Sequence, residues 1–194
     1  VEVLRPSLSD STLDNLHEQI RAFDGGALDL ARYADLLSGL ALQQGISKDE
    51  FPNLVAFLYM RSLEEGIHPS TVHEEQAIFL ERLSRQLAPN QLDGLKANIR
   101  KVREGTLSQD TFCLSLEQLA ASSGIPLEEY PALSQYLTYI KVSGRVTSSA
   151  LAEELDRLSA RLRTSLASSP ERQSLDALVE QLDLIDKLLD LRLS

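Results

Sequence analysis

The chain has 194 residues, 43% apolar and 25% charged, with nine glycines, seven prolines, five tyrosines, five phenylalanines and no tryptophan. That is enough to bury a proper core, and the balance excludes a disordered polymer. The net charge of -10 argues against nucleic-acid binding, and the longest clear apolar run, Leu54 to Met60, excludes membrane insertion by a helix.

Abundant leucine and alanine beside few aromatics predict an all-α chain, and the elements follow in order. Residues 1 to 8 read as an extended lead-in containing Pro6. Ser9 or Asp10 then caps a first helix carrying Leu13, Leu16, Ile20 and Phe23 at steps of three and four, closed by Asp24-Gly25-Gly26. A second helix, Asp29 to Gln44, places Leu30, Tyr33, Leu36, Leu37, Leu40 and Ala41 on one face, and Gly45 ends it. The third begins at a capping box, Ser47-Lys48-Asp49-Glu50, and passes Pro52 to end at Glu65. Its Phe51, Leu54, Val55, Phe57, Leu58 and Met60 make it the richest in large apolar groups, so it is expected to be the most buried of its unit. Pro69-Ser70-Thr71 opens a fourth helix with Val72, Ile78, Phe79, Leu83 and Leu87 facing inward.

From Leu92 the pattern repeats. Residues 13 to 61 and 92 to 140 align without a gap at a constant offset of 79, with 16 identities in 49 positions. The identities are structural residues, among them Gly26/Gly105, Gly45/Gly124, Ile46/Ile125, Glu50/Glu129 and Pro52/Pro131. Glycine closes these helices because the stop residue needs positive φ. Asn90 caps the fifth helix and Ser108 the sixth. A seventh, Pro126 to Ser143, buries Tyr130, Leu133, Tyr136, Leu137 and Ile140, and an eighth carries Leu151, Leu155, Leu158, Leu162 and Leu166. The organisation predicted is therefore a tandem duplication of a four-helix unit: 8 to 88, 89 to 168, then a long C-terminal helix over 169 to 194. That last helix is the start of a third repeat or a cap, in one continuous body. The chain opens on Val1 rather than methionine, and we read it as a piece of something longer.

The C-terminal sequence holds the sharpest clue to interaction. Leu175, Leu178, Leu182, Ile185 and Leu189 form one apolar stripe, and Leu184, Leu188 and Leu191 form a second, turned away from the first. One stripe can pack on the body, while the other invites a protein partner or a second copy. A groove between the repeats that buries both is the competing reading.

Chemistry is thinly represented. Of the three histidines, His68 and His73 stand five apart near several glutamates, so a metal site there is the most specific idea available. Helical metal pairs usually stand four apart, and no third strong ligand follows. The competing reading gives His68 to a helix C-terminus and His73 to solvent. Acidic pairs such as Glu64/Glu65, Glu128/Glu129 and Glu153/Glu154 read as solvated helix faces, because adjacent helical residues point apart. Arg100, Lys101 and Arg103 form the densest basic cluster and read the same way. Cys113, the sole cysteine, reads as a small buried apolar residue. Tyr33, Phe57, Tyr59, Tyr136 and Tyr139 are candidates for a ligand pocket, with plain core aromatics as the competing reading.

No phosphate loop, serine elbow or Cys-His arrangement is present, so no cofactor and no catalytic residue are expected. The function expected is a non-enzymatic scaffold or protein-protein interaction module. The alternative is a metal- or small-ligand-binding helical protein with a site near His68 and His73. A soluble and cytoplasmic setting is the expectation for compartment.

Overall fold

A computed structural model describes residues 4–167 and Gln181, and all its elements are helical. In chain order they are α1 (Leu4–Asp24), α2 (Leu30–Gln43), α3 (Pro52–Glu65), α4 (Pro69–Gln86), α5 (Pro89–Arg103), α6 (Gln109–Ser122), α7 (Pro131–Ser143) and α8 (Ser148–Leu166). Single 3-10 turns at Lys48–Glu50 and Leu127–Glu129 precede α3 and α7. The expected C-terminal helix over 169 to 194, with Leu184, Leu188 and Leu191, lies outside the described residues. No described helix is long and apolar enough to cross a membrane.

The glycine stops are as the sequence predicts. Gly26, Gly45, Gly105 and Gly124 have φ of 73°, 68°, 69° and 65°. At each, the following N–H reaches back to the helix, as Ile46 N donates to Ala41 O at 2.9 Å and Ile125 N to Ala120 O at 2.9 Å. These are Schellman closures, and their apolar residues, Ile46 and Ile125, are buried against the helices they end.

Several helix starts differ from the sequence reading. α1 begins at Leu4 and takes Pro6 into its first turn, where the missing N–H has no intrahelical partner to lose. The helix expected from Ser47 is two elements, because Phe51 (φ -130°, ψ 63°) breaks the path between the 3-10 turn and α3. The Ser47 hydroxyl accepts from Asp49 N at 3.3 Å, but Glu50 does not complete a capping box. α5 starts at Pro89, one residue before the expected Asn90 cap. Its first turn is closed by Gln91, whose side-chain oxygen accepts from Ala88 N at 3.1 Å.

Packing groups the helices into two units. One comprises residues up to Leu54 together with those from Ala152, and the other comprises Val55–Leu151. Elements recur at the 79-residue offset, α2 with α6, α3 with α7 and α4 with α8, so α8 is the counterpart of α4. The grouping therefore crosses the sequence copies: α8 joins α1, α2 and the start of α3, while α4 joins α5, α6 and α7. In the first unit α8 supplies Leu155, Leu158, Leu162 and Leu166, each 3% exposed or less. In the second unit α4 packs on α7, and Phe79, Leu83 and Leu87 join Leu95, Leu116, Leu133 and Leu137 in one core.

α3 is less buried than its composition suggested. Leu54 and Phe57 are inside, but Val55 is 42% exposed and Tyr59 49% exposed. Ile78 of α4, expected inside, is 58% exposed. On α3 this follows from crowding, since a helix apolar over most of its circumference cannot present every residue to one core; on α4, Ile78 lies off the buried stripe of Val72, Phe79 and Leu83.

Candidate functional site

Among the polar contacts between distant parts of the chain are two matching sets. In the first unit the α8 carboxylate of Glu154 accepts from Asn53 N (3.1 Å), Asn53 Nδ2 (2.8 Å) and Leu54 N (2.9 Å) at the start of α3. In the second unit Glu75 of α4, its counterpart at the 79-residue offset, accepts from Leu133 N of α7 at 2.8 Å. A carboxylate there satisfies orphan N–H groups and meets the positive end of the helix dipole. The ion pairs match too: Arg161 reaches Glu50 at 2.5 Å, and Arg82 pairs with Glu129 and donates to Tyr130 Oη.

Glu154 is thus the principal correction to the sequence reading. It is not part of a solvated face but 3% exposed, the only buried carboxylate among the described residues. A signal for it existed. The identities at offset 79 continue past residue 61 into Glu74/Glu153, Glu75/Glu154, Arg82/Arg161, Leu83/Leu162 and Leu87/Leu166. Identical charged residues at matching positions of an amphipathic helix point to a shared polar contact.

The other candidates are dispersed. His68 is the N-cap residue of α4 without a side-chain capping bond, and His73 lies one turn on; both are exposed. Among the described residues no three His, Cys, Asp or Glu side chains are grouped to hold a metal. Tyr33 is buried in the first unit, where its ring stacks on Phe23 at 4.2 Å. Burial pushes its hydroxyl above the usual tyrosine range, against the opposing effect of a hydrogen bond with Ser159. Phe57, Tyr59, Tyr136 and Tyr139 belong to the second unit and range from buried Phe57 to exposed Tyr59. Of the four in the second unit, Tyr136 lines the smaller lobe of a concavity in that unit.

A concavity the sequence did not reveal lies in the second unit, among α4, α5, α6 and α7. Its volume is about 320 Å³, and its wall includes Phe79, Leu80, Ile99, Val102, Phe112 and Leu133. A smaller lobe of about 160 Å³ shares Gln76, Val102, Phe112, Leu116 and Leu133 and extends to Cys113, Tyr136 and Ile140. Arg103, from the basic cluster, stands in the wall of the larger lobe. Burial, with the nearby Glu117 carboxylate adding to it, pushes the Cys113 thiol up to about 11. At neutral pH this thiol is a wall, not a nucleophile.

Comparison with known protein families, with curated proteins and with solved structures finds no match for this chain.

Proposed function

We propose that the chain is a non-enzymatic helical-repeat scaffold that engages a protein partner or a second copy of itself. The observation that carries this reading is the exposed pair Val55 and Tyr59, one turn apart on α3. Their counterparts at the 79-residue offset in α7 are Ser134 and Thr138, so the apolar pair is particular to α3 rather than a requirement of the repeated helix. An exposed tyrosine is the kind of side chain that anchors interfaces, and an apolar neighbour one turn away on the helix extends its contact.

The non-enzymatic part of the reading is supported by the use made of the distant carboxylates. Glu75, Glu154, Glu50 and Glu129 are each engaged in joining helices. General acid-base chemistry would instead need a carboxylate facing a substrate site. The leucines Leu184, Leu188 and Leu191 add a second proposed contact, on sequence pattern alone.

Light scattering across a dilution series, followed by crosslinking and pull-down from the native source, tests the reading. Self-association, or a crosslinked protein, that is lost in Val55→Lys/Tyr59→Lys or in Leu184→Glu/Leu188→Glu supports it. A chain that stays monomeric and yields no crosslinked protein sensitive to either double variant overturns it.

A further inference from the structure

We propose that the cavity of the second unit is a binding site for a small amphiphilic carboxylate of the medium-chain fatty-acid class, its apolar body among α4 to α7 and its head on Arg103. The site is independent of the α3 surface proposed above as a protein contact.

The first argument is volume. A cavity of about 320 Å³ falls in the range of ligand pockets, about 300–1,000 Å³, and far above the space of a single water. The concavity is partly open to solvent and its wall is mainly apolar, so an apolar guest gains by removing that surface from water and by dispersion contacts with it.

The second argument is an internal control. At positions matched by the 79-residue offset, the first unit has Phe23 and Tyr33 where the second has Val102 and Phe112. There the two rings stack at 4.2 Å, and Leu155, 2% exposed, sits where the second unit has Gln76. The second unit has traded a ring for an isopropyl group and a buried leucine for an amide at matching positions. Phe79, larger than its counterpart Leu158, does not offset the loss, since its ring meets Tyr130 edge-to-face at 5.4 Å and forms wall. Apolar walls with one or two polar groups are the composition of small-molecule sites.

The third argument is charge. The last turn of α5 carries Arg100, Lys101 and Arg103, where α1 carries Arg21, Ala22 and Asp24. The reversal from Asp24 to Arg103 occurs at a residue of the cavity wall, in a chain whose net charge is -10. A guanidinium presents two parallel N–H donors that match a carboxylate. Of the basic cluster, Arg103 lines the cavity.

The test is calorimetric titration of the full chain with decanoate below its micellar concentration, alongside decanol and vesicles of phosphatidylglycerol. Saturable one-to-one binding of decanoate is expected. Val102→Phe, which restores the ring present in the first unit, should abolish it while preserving helicity and cooperative unfolding. Arg103→Glu, an exposed change that leaves the fold intact, should weaken decanoate by about tenfold or more and leave decanol within about twofold. Absence of decanoate binding overturns the proposal, as does binding unchanged in Val102→Phe. Vesicle binding that requires Val102, without binding of free decanoate, overturns the assignment to a free acid and gives the cavity to a bilayer acyl chain.

Discussion

In the first unit Phe23 and Tyr33 stack and Glu154 makes three hydrogen bonds to the start of α3; in the second, Val102 and Phe112 leave a cavity open and Glu75 makes one to α7. At matching positions α2 and α6, α3 and α7, and α4 and α8 agree in length to within one residue, α1 has 21 residues against 15 in α5, and the stops of α1, α2, α5 and α6 share positive-φ glycines. What differs is the side chains at matching positions: backbone geometry and helix ends are set locally, whereas interior packing depends on side-chain volumes summed over several helices.

The largest effects test whether α4 and α8 play equal parts. Leu83→Ala and Leu162→Ala remove counterpart leucines, each 0% exposed, and should each lower stability by about 3 kcal/mol in urea unfolding. A cost near zero for Leu162→Ala would break the grouping of α8 with the first unit. The glutamate caps sharpen the contrast. Glu154→Ala strands two backbone N–H groups and the Asn53 amide and should cost about 3 kcal/mol, against about 1 kcal/mol for Glu75→Ala, which strands one N–H. Equal costs would mean that the caps are equivalent despite their different hydrogen bonds.

Exchanging ring for isopropyl reads the interiors directly. Phe23→Val should destabilise the first unit by about 1–2 kcal/mol, and Val102→Phe should raise stability by about 1 kcal/mol through filling the cavity. If Val102→Phe is instead strongly destabilising, the second interior has no room and the contrast fails. Smaller still are the exposed ion pairs: Arg161→Ala and Arg82→Ala should each change stability by less than about 1 kcal/mol, because half-exposed partners are screened by solvent.

The least effect concerns Cys113, which has Ala34 as its counterpart in the first unit. Its thiol titrates higher when folded, so folding favours the protonated form. The contribution is intact below about pH 9 and is lost as the pH rises towards about 11. Wild-type protein should therefore lose stability over that window relative to Cys113→Ala, and alkylation of the thiol at neutral pH should require unfolding. Rapid modification of the folded chain would show that the smaller lobe is open to solvent at Cys113.

What the sequence determined by itself was local. Helix periodicity marked Leu151, Leu155, Leu158, Leu162 and Leu166 as a buried stripe, and the paired glycines marked four Schellman stops, since both signals act within one helix or one turn. Only the tertiary structure decided which helix each stripe would cover. α4 and α8 carry nearly the same apolar stripe and the same Glu and Arg, so either could satisfy either set of partners, and sequence spacing does not distinguish them. The same limit explains Val55, Ile78 and Glu154. Val55 sits on a helix with apolar residues on more than one face, Ile78 lies off its helix's buried stripe, and Glu154 is buried by contacts with the start of α3 about a hundred residues away. The concavity is of the same kind: no single residue announces it, because its shape depends on the spacing of four helices and on the side chains that line them together.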